Sequence, residues 1–172
     1  PGNMLINEVI YLLSKGEFNF DQDGCWAAMG EVSEKLLRFL MAHPFIKRGI
    51  PKTTGREEFG GDYARKVIGE GEKYQLNKYD IIATITAFTA YSIIDAYQRF
   101  LANDIDQIII SGGGSYNPVL LKMTTIYAKE MLKKDIEVLT QEDLGFSSEA
   151  KEAVAFAVLA YQTMKGNTNN LP

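Results

Sequence analysis

The stretch 107–118, QIIISGGGSYNP, constrains the fold more than any other part of the chain. An apolar run from Ile108 to Ile110 gives way to Ser111 and then to Gly112, Gly113 and Gly114, and a helix is expected to begin at Pro118. A strand that passes through glycines into a helix belongs to an α/β fold. Three residues without Cβ atoms let a ligand approach the main chain closely. The helix N-terminus just beyond offers N–H groups and partial positive charge, which favour an anion such as phosphate. Asn117 suits the N-cap and Pro118 the first helical position. Two better-known phosphate loops are excluded. No glycine is followed by Lys-Ser or Lys-Thr, as a Walker loop needs. A Rossmann turn needs glycine where Asn117 stands, and an acid after the next strand, where Thr140 and Gln141 stand. The competing reading is a glycine turn that only packs tightly.

Helical spacing of Leu5, Val9, Leu12 and Leu13 predicts a helix over 4–14, capped by Asn3 and stopped by Gly16. A second helix is expected from Asp23 through Trp26, Met29, Val32, Leu36, Leu37 and Leu40, closed by Pro44. The segment 50–61, IPKTTGREEFGG, has no clear period and reads as an ordered loop leading into a helix over 62–68. Asn77 should start a long helix to Leu101, whose many β-branched residues only tertiary packing would tolerate. Then follow a strand over 107–111, a helix over 118–133 and a strand over 136–139, the order of a parallel βαβ unit. A last helix is expected over 148–165. Two strands make a small sheet for so many helices, so strands of the same fold are expected to be missing from the N-terminal side.

The 172 residues suit one domain, and a net charge of −4 with no basic cluster gives no reason to expect nucleic acid. The longest apolar stretch, 81–94, is broken by Thr84, Thr86, Thr89 and Ser92 and falls short of the roughly 20 residues that span a bilayer, so a buried helix is expected and no membrane. The single Cys25 fits a reducing, cytoplasmic setting, and the single His43, before Pro44, reads as a helix-end residue. The opening Pro1-Gly2-Asn3 and the closing Leu171-Pro172 read as the ends of a fragment.

Three groups of residues carry chemistry. Lys52, Thr54 and Arg56, in PKTTGRE, can grip a phosphate or a sugar, or can simply form a solvated loop. Glu152 precedes AVAFAVLA, apolar all round, which predicts a buried helix with an acid at its first turn. Glu149 and Lys151 read as plain surface charge. Gly2 and Asn3 either cap a helix or form a second phosphate-facing turn.

SGGGSYNP, PKTTGRE, the opening PGNML and the closing EAVAFAVLAYQTMKGNTNNLP together resemble the C-terminal half of anhydro-N-acetylmuramic acid kinases, in the family's order and nearly end to end. The resemblance implies the sugar kinase, Hsp70 and actin superfamily, with two lobes around an ATP cleft. Residues 1–172 would be one domain, most of the C-terminal lobe of an actin-like ATPase (ribonuclease H-like) fold. The family opens the 1,6-anhydro ring with water and phosphorylates O6 with ATP and Mg²⁺, in peptidoglycan recycling. Gly112, Gly113, Gly114 and Asn117 match the adenosine motif. Gly2 and Asn3 match the end of the D-T-G-P-G-N phosphate loop, and Glu152 matches an acid that helps orient the attacking water. Lys52, Thr54 and Arg56 match a loop at the cleft. The aspartate of D-T-G-P-G-N, the family's general base, would precede Pro1, so this chain alone, without the N-terminal lobe, is expected to be inactive. Pairing as a homodimer stays open. The alternative is a non-catalytic ATP-binding or interaction module of the same superfamily.

Overall fold

The computed structural model describes residues 2–101 and 105–169, so Pro1 and the closing Asn170-Leu171-Pro172 of the sequence motif lie outside the described residues. The chain is a helix-rich α/β structure. In order it forms α1 (Met4–Leu13), α2 (Cys25–Ala28), α3 (Glu34–Met41), α4 (Pro44–Lys47), α5 (Arg56–Phe59), α6 (Gly61–Lys73), α7 (Lys78–Phe100), β1 (Gln107–Ile110), α8 (Pro118–Leu132), β2 (Glu137–Thr140) and α9 (Lys151–Met164).

α7 is the spine. Asn77 caps it, its Oδ1 accepting from the N–H groups of Tyr79 and Asp80 at 2.8 and 3.0 Å. Every residue from Ile81 to Ala90 is buried. The threonines there stay polar at no hydrogen-bonding cost, because Thr84, Thr86 and Thr89 donate to the carbonyls of Asp80, Ile82 and Ile85 one turn back. The first half of α7 joins α1, α3, α6 and Phe59 in one apolar core. Its later part, at Ile94, joins β1 and α8 in a second core with Ile105, Ile108, Ala128, Leu132 and Ile136.

β1 and β2 form a two-stranded parallel sheet, with Gln107 opposite Glu137 and Ile110 opposite Thr140, and α8 makes the crossover. The expected βαβ order is present, with the second strand one residue later than its apolar pattern predicts.

Three local expectations differ. The helix predicted from Asp23 to Leu40 is split into α2 and α3. The split is made by α7: a Cβ on Gly30 would run into the Tyr79 carbonyl, while the N–H groups of Glu31 and Ser33 donate to Asp80 Oδ1 and Thr84 Oγ1, each at 2.9 Å. Ser33 then caps α3 by accepting from Leu36 N–H. Pro44 opens α4 rather than only closing a helix, and His43 caps it by accepting from Phe45 N–H at 3.2 Å. α9, expected to be buried, is exposed: Val154, Phe156, Val158, Tyr161 and Met164 all face solvent. Its composition calls for a partner that the described residues do not supply.

Candidate functional site

β1 delivers the glycines to a tight turn. Gly112 takes φ 82° and ψ −176°, a conformation essentially reserved for glycine. Its carbonyl accepts from Ser115 N–H at 2.9 Å and from the Ser115 hydroxyl at 2.8 Å, which closes a 3₁₀ turn over Gly113–Tyr116. Asn117 then caps α8, its Oδ1 accepting from Val119 and Leu120 N–H at 3.0 Å each. The boundary is as the sequence predicts, but two of the N–H groups expected to face an anion are taken by Asn117 itself.

Asn3 meets this turn from the other end of the chain. Its side chain makes no cap bond to α1. Instead its amide nitrogen lies 3.6 Å from where a Cβ on Gly113 would stand, with Gly114 at 4.0 Å from its Cβ. Gly2 takes φ 66°, and its carbonyl lies 3.2 Å from the Thr89 hydroxyl of α7. Asn3 thus holds the N-cap position of α1, its carbonyl accepting from Asn7 N–H at 3.0 Å, while its side chain lies beside the glycines.

Around them is a cavity of about 450 Å³. Gly112, Gly113, Gly114, Asn117 and Asn3 line it together with Asn7, Ile6, Phe20, Asp21, Asp23, Tyr116, Ser148 and Glu149. Sequence reasoning missed the last five polar residues. Asp21 is buried and serves α2, its carboxylate oxygens accepting from Trp26 and Ala27 N–H at 2.8 and 3.1 Å. The run DQDG carries a turn signal for this segment, but nothing in it points to Asn117, against which Gly24 packs. Glu149, read as plain surface charge, lines the cavity, and Lys151 donates to Ser111 Oγ at 2.7 Å, beside the glycines.

The other sequence candidates separate. Arg56 is exposed at the start of α5 and lines a cavity of about 690 Å³ with Asn3, Met4, Asn7, Glu8, Tyr11, Asn19 and Gly55. Asn3 and Asn7 belong to both cavities, so the glycine turn and Arg56 flank the first turns of α1. Thr54 is half-buried, and its hydroxyl has no partner among the described residues. Lys52 points elsewhere: its Nζ donates to the carbonyls of Phe45 and Ile46 and lies 4.9 Å from the Phe45 ring centre. Burial, with the nearby Arg99 cation, pushes its ammonium pKa down. It lines a third space, with β1, that shares no residue with the glycine cavity. Glu152 sits exposed in the first turn of α9 and lines none of these cavities. Among the described residues no three His, Cys, Asp or Glu side chains converge to hold a metal, and no helix is long and apolar enough to cross a membrane.

The family model described as anhydro-N-acetylmuramic acid kinase matches residues 1–172. Curated relatives named anhydro-N-acetylmuramic acid kinase include one from Caldanaerobacter subterraneus, 45% identical over all of this chain and 43% of its own length. Others come from Bacillus cereus, 43% identical, and Bacillus anthracis, 42% identical, each aligned over all of this chain and 44% of its own length. The chain spans less than half the length of the curated relatives it matches.

Proposed function

The chain belongs to the anhydro-N-acetylmuramic acid kinase family, and from that premise we propose that it is the nucleotide-binding lobe, actin-like in fold, of an ATP-dependent sugar kinase. The reaction it serves is hydrolytic opening of 1,6-anhydro-N-acetylmuramic acid with phosphorylation at O6. The carrying observation is the meeting of Asn3 with Gly113 and Gly114 at the wall of one cavity. The chain's other lines of support are its match to a kinase family along its whole length and its share of the relatives' length, which suits one lobe of two.

The lining suits the nucleoside end of ATP rather than its phosphates. Phe20, Tyr116 and Ile6 offer faces to a base, while Asp23, Glu149, Asn3 and Asn7 offer acceptors and donors to ribose hydroxyls. The carboxylates of the lining would repel a phosphate chain. Phosphates would therefore extend toward Gly2 and the first turn of α1, on whose other side Arg56 stands. With no acid cluster among the described residues, Mg²⁺ would be held mainly by phosphate oxygens and water, where it would offset their charge. Glu152 is the acid proposed to help orient the attacking water, and Thr54, Arg56 and Lys52 are proposed to serve the cleft loop, Lys52 by fastening it to α4. A non-catalytic ATP module is the less favoured reading, because the family named by the match is one of kinases.

Calorimetric titration of ATP into the whole protein carrying this sequence tests the reading. Saturable binding that Gly114→Val abolishes is expected, since a branched side chain there would enter the cavity that Gly114 lines. Binding indifferent to that change would show that the glycines serve packing alone.

A further inference from the structure

Between β2 and α9 the chain runs past the glycine cavity, and one side chain fastens it there. Glu142 lies on a 3₁₀ turn, Glu142–Leu144, directly after β2. Its Oε1 accepts from Ser148 N–H at 2.8 Å and from the Tyr116 hydroxyl at 3.1 Å, and its Oε2 accepts from the Ser148 hydroxyl at 3.0 Å. Tyr116 closes the glycine turn, and Ser148 leads into α9. Both line the cavity, whereas Glu142 does not.

This arrangement matters because α9 is exposed along its length. What fastens its N-terminal side to the sheet is polar: the Glu142 bonds to Ser148, and the Lys151 bond to Ser111 at 2.7 Å. The turn Gly145, at φ 78°, brings the chain back so that one carboxylate reaches both partners. The bonds from Ser148 and Tyr116 hold the Glu142 carboxyl below its usual range, and the same contact pushes the Tyr116 phenol up, as expected of charge-assisted bonds to a carboxylate.

We propose that Glu142 is a positioning residue for the nucleotide: by clasping Tyr116 to Ser148 it fixes the wall of the glycine cavity that Tyr116, Ser148 and Glu149 form. The proposal rests on the nucleotide reading above. Without the clasp, residues 145–150 would have to be ordered when the ligand binds, and that ordering lowers affinity.

ATP affinity and the KM values for ATP and the anhydro-sugar, measured in the whole protein carrying this sequence, provide the test. Glu142→Ala should weaken ATP binding and raise the KM for ATP by about 3- to 10-fold, the span of one or two ordinary hydrogen bonds, with the KM for sugar unchanged. Glu142→Gln keeps an acceptor oxygen and should restore most of the affinity. A merely structural role would lower the folded fraction, and with it kcat, while both KM values stayed put. Wild-type ATP affinity and KM in Glu142→Ala overturn the clasp and leave the nucleotide reading standing. Failure of the unaltered protein to bind ATP overturns that reading and the clasp with it. Should Glu142→Ala not fold, Tyr116→Phe removes one arm alone, and unchanged ATP affinity in that variant overturns the proposal equally.

Discussion

Asn3 and Gly113, far apart in sequence, stand close enough that a Cβ on the glycine would lie 3.6 Å from the asparagine amide nitrogen. Gly114 is placed alike, with its Cβ position 3.4 Å from Leu120 and 4.0 Å from Asn3, ordinary contact distances that a methyl group would fill without moving either. The glycines therefore divide their work. Gly113 and Gly114 leave the cavity wall open beside Asn3, and Gly112 makes the turn possible.

That division gives a prediction at Gly112. No atom lies within 4 Å of its Cβ position, so a methyl group there meets no steric clash, and only its backbone, φ 82° with ψ −176°, resists substitution. Gly112→Ala should cost about 1–3 kcal/mol of stability. Asparagine should fare no better, because its tolerance is for the left-handed helical region and not for this one. Gly145, at φ 78° and ψ 15°, lies in that region and should accept asparagine with little loss. Urea midpoints of the three variants compare the two sites directly.

A second prediction concerns alkaline stability. Burial pushes the Tyr63 phenol up to about 12 from the ordinary 10. It packs edge-on to Phe59 and to His43, with ring centres 5.4 and 4.7 Å away. The folded state thus keeps the phenol proton to a higher pH than the unfolded state does. Below pH 10 the group has no effect on the pH dependence of stability. Between 10 and 12 the unfolded chain ionises first, and stability falls. Tyr63→Phe, which removes the titrating group and keeps the ring, should flatten that fall relative to the unaltered chain. Urea midpoints measured at pH 8 and pH 11 for both proteins give the comparison, and equal slopes would refute it.

What the sequence reveals is what short-range chemistry decides. Asn77, Asn117 and Pro118 mark helix starts because a cap needs only the next three residues, and all three stand where such marks predict. Gly166, at φ 70°, ends α9 for the same local reason. The break between α2 and α3 is hidden because its cause lies on α7, where Tyr79 blocks Gly30 and Asp80 holds Glu31. Asp21 and Glu142 escape notice similarly: each is an ordinary acid in a loop until the fold sets its partners around it. The apolar run of α9 states that the helix has surface to bury, but not which residues will bury it. Lys52 shows the converse, since nothing around it in the sequence announces that its ammonium group bonds two carbonyls and lies over a ring.

The sharpest prediction is at Glu152, which the proposed function uses to orient the attacking water. Glu152 stands in the first turn of α9, one residue after Lys151, whose Nζ reaches Ser111 at the end of β1. Glu152 itself is exposed and lies outside the glycine cavity, which suits a residue serving the acceptor rather than the nucleotide. Glu152→Gln keeps the size and removes the charge that would hold and polarise water. In the whole protein carrying this sequence, kcat should fall by about 10²–10⁴-fold, the usual contribution of an acid–base group, with ATP affinity nearly unchanged. A plain helix-start acid would instead show a slightly lower melting temperature and an unaltered kcat, because its charge would only complement the helix dipole. Steady-state kinetics beside a thermal melt separate the two outcomes, and the kinetic loss is the expected one.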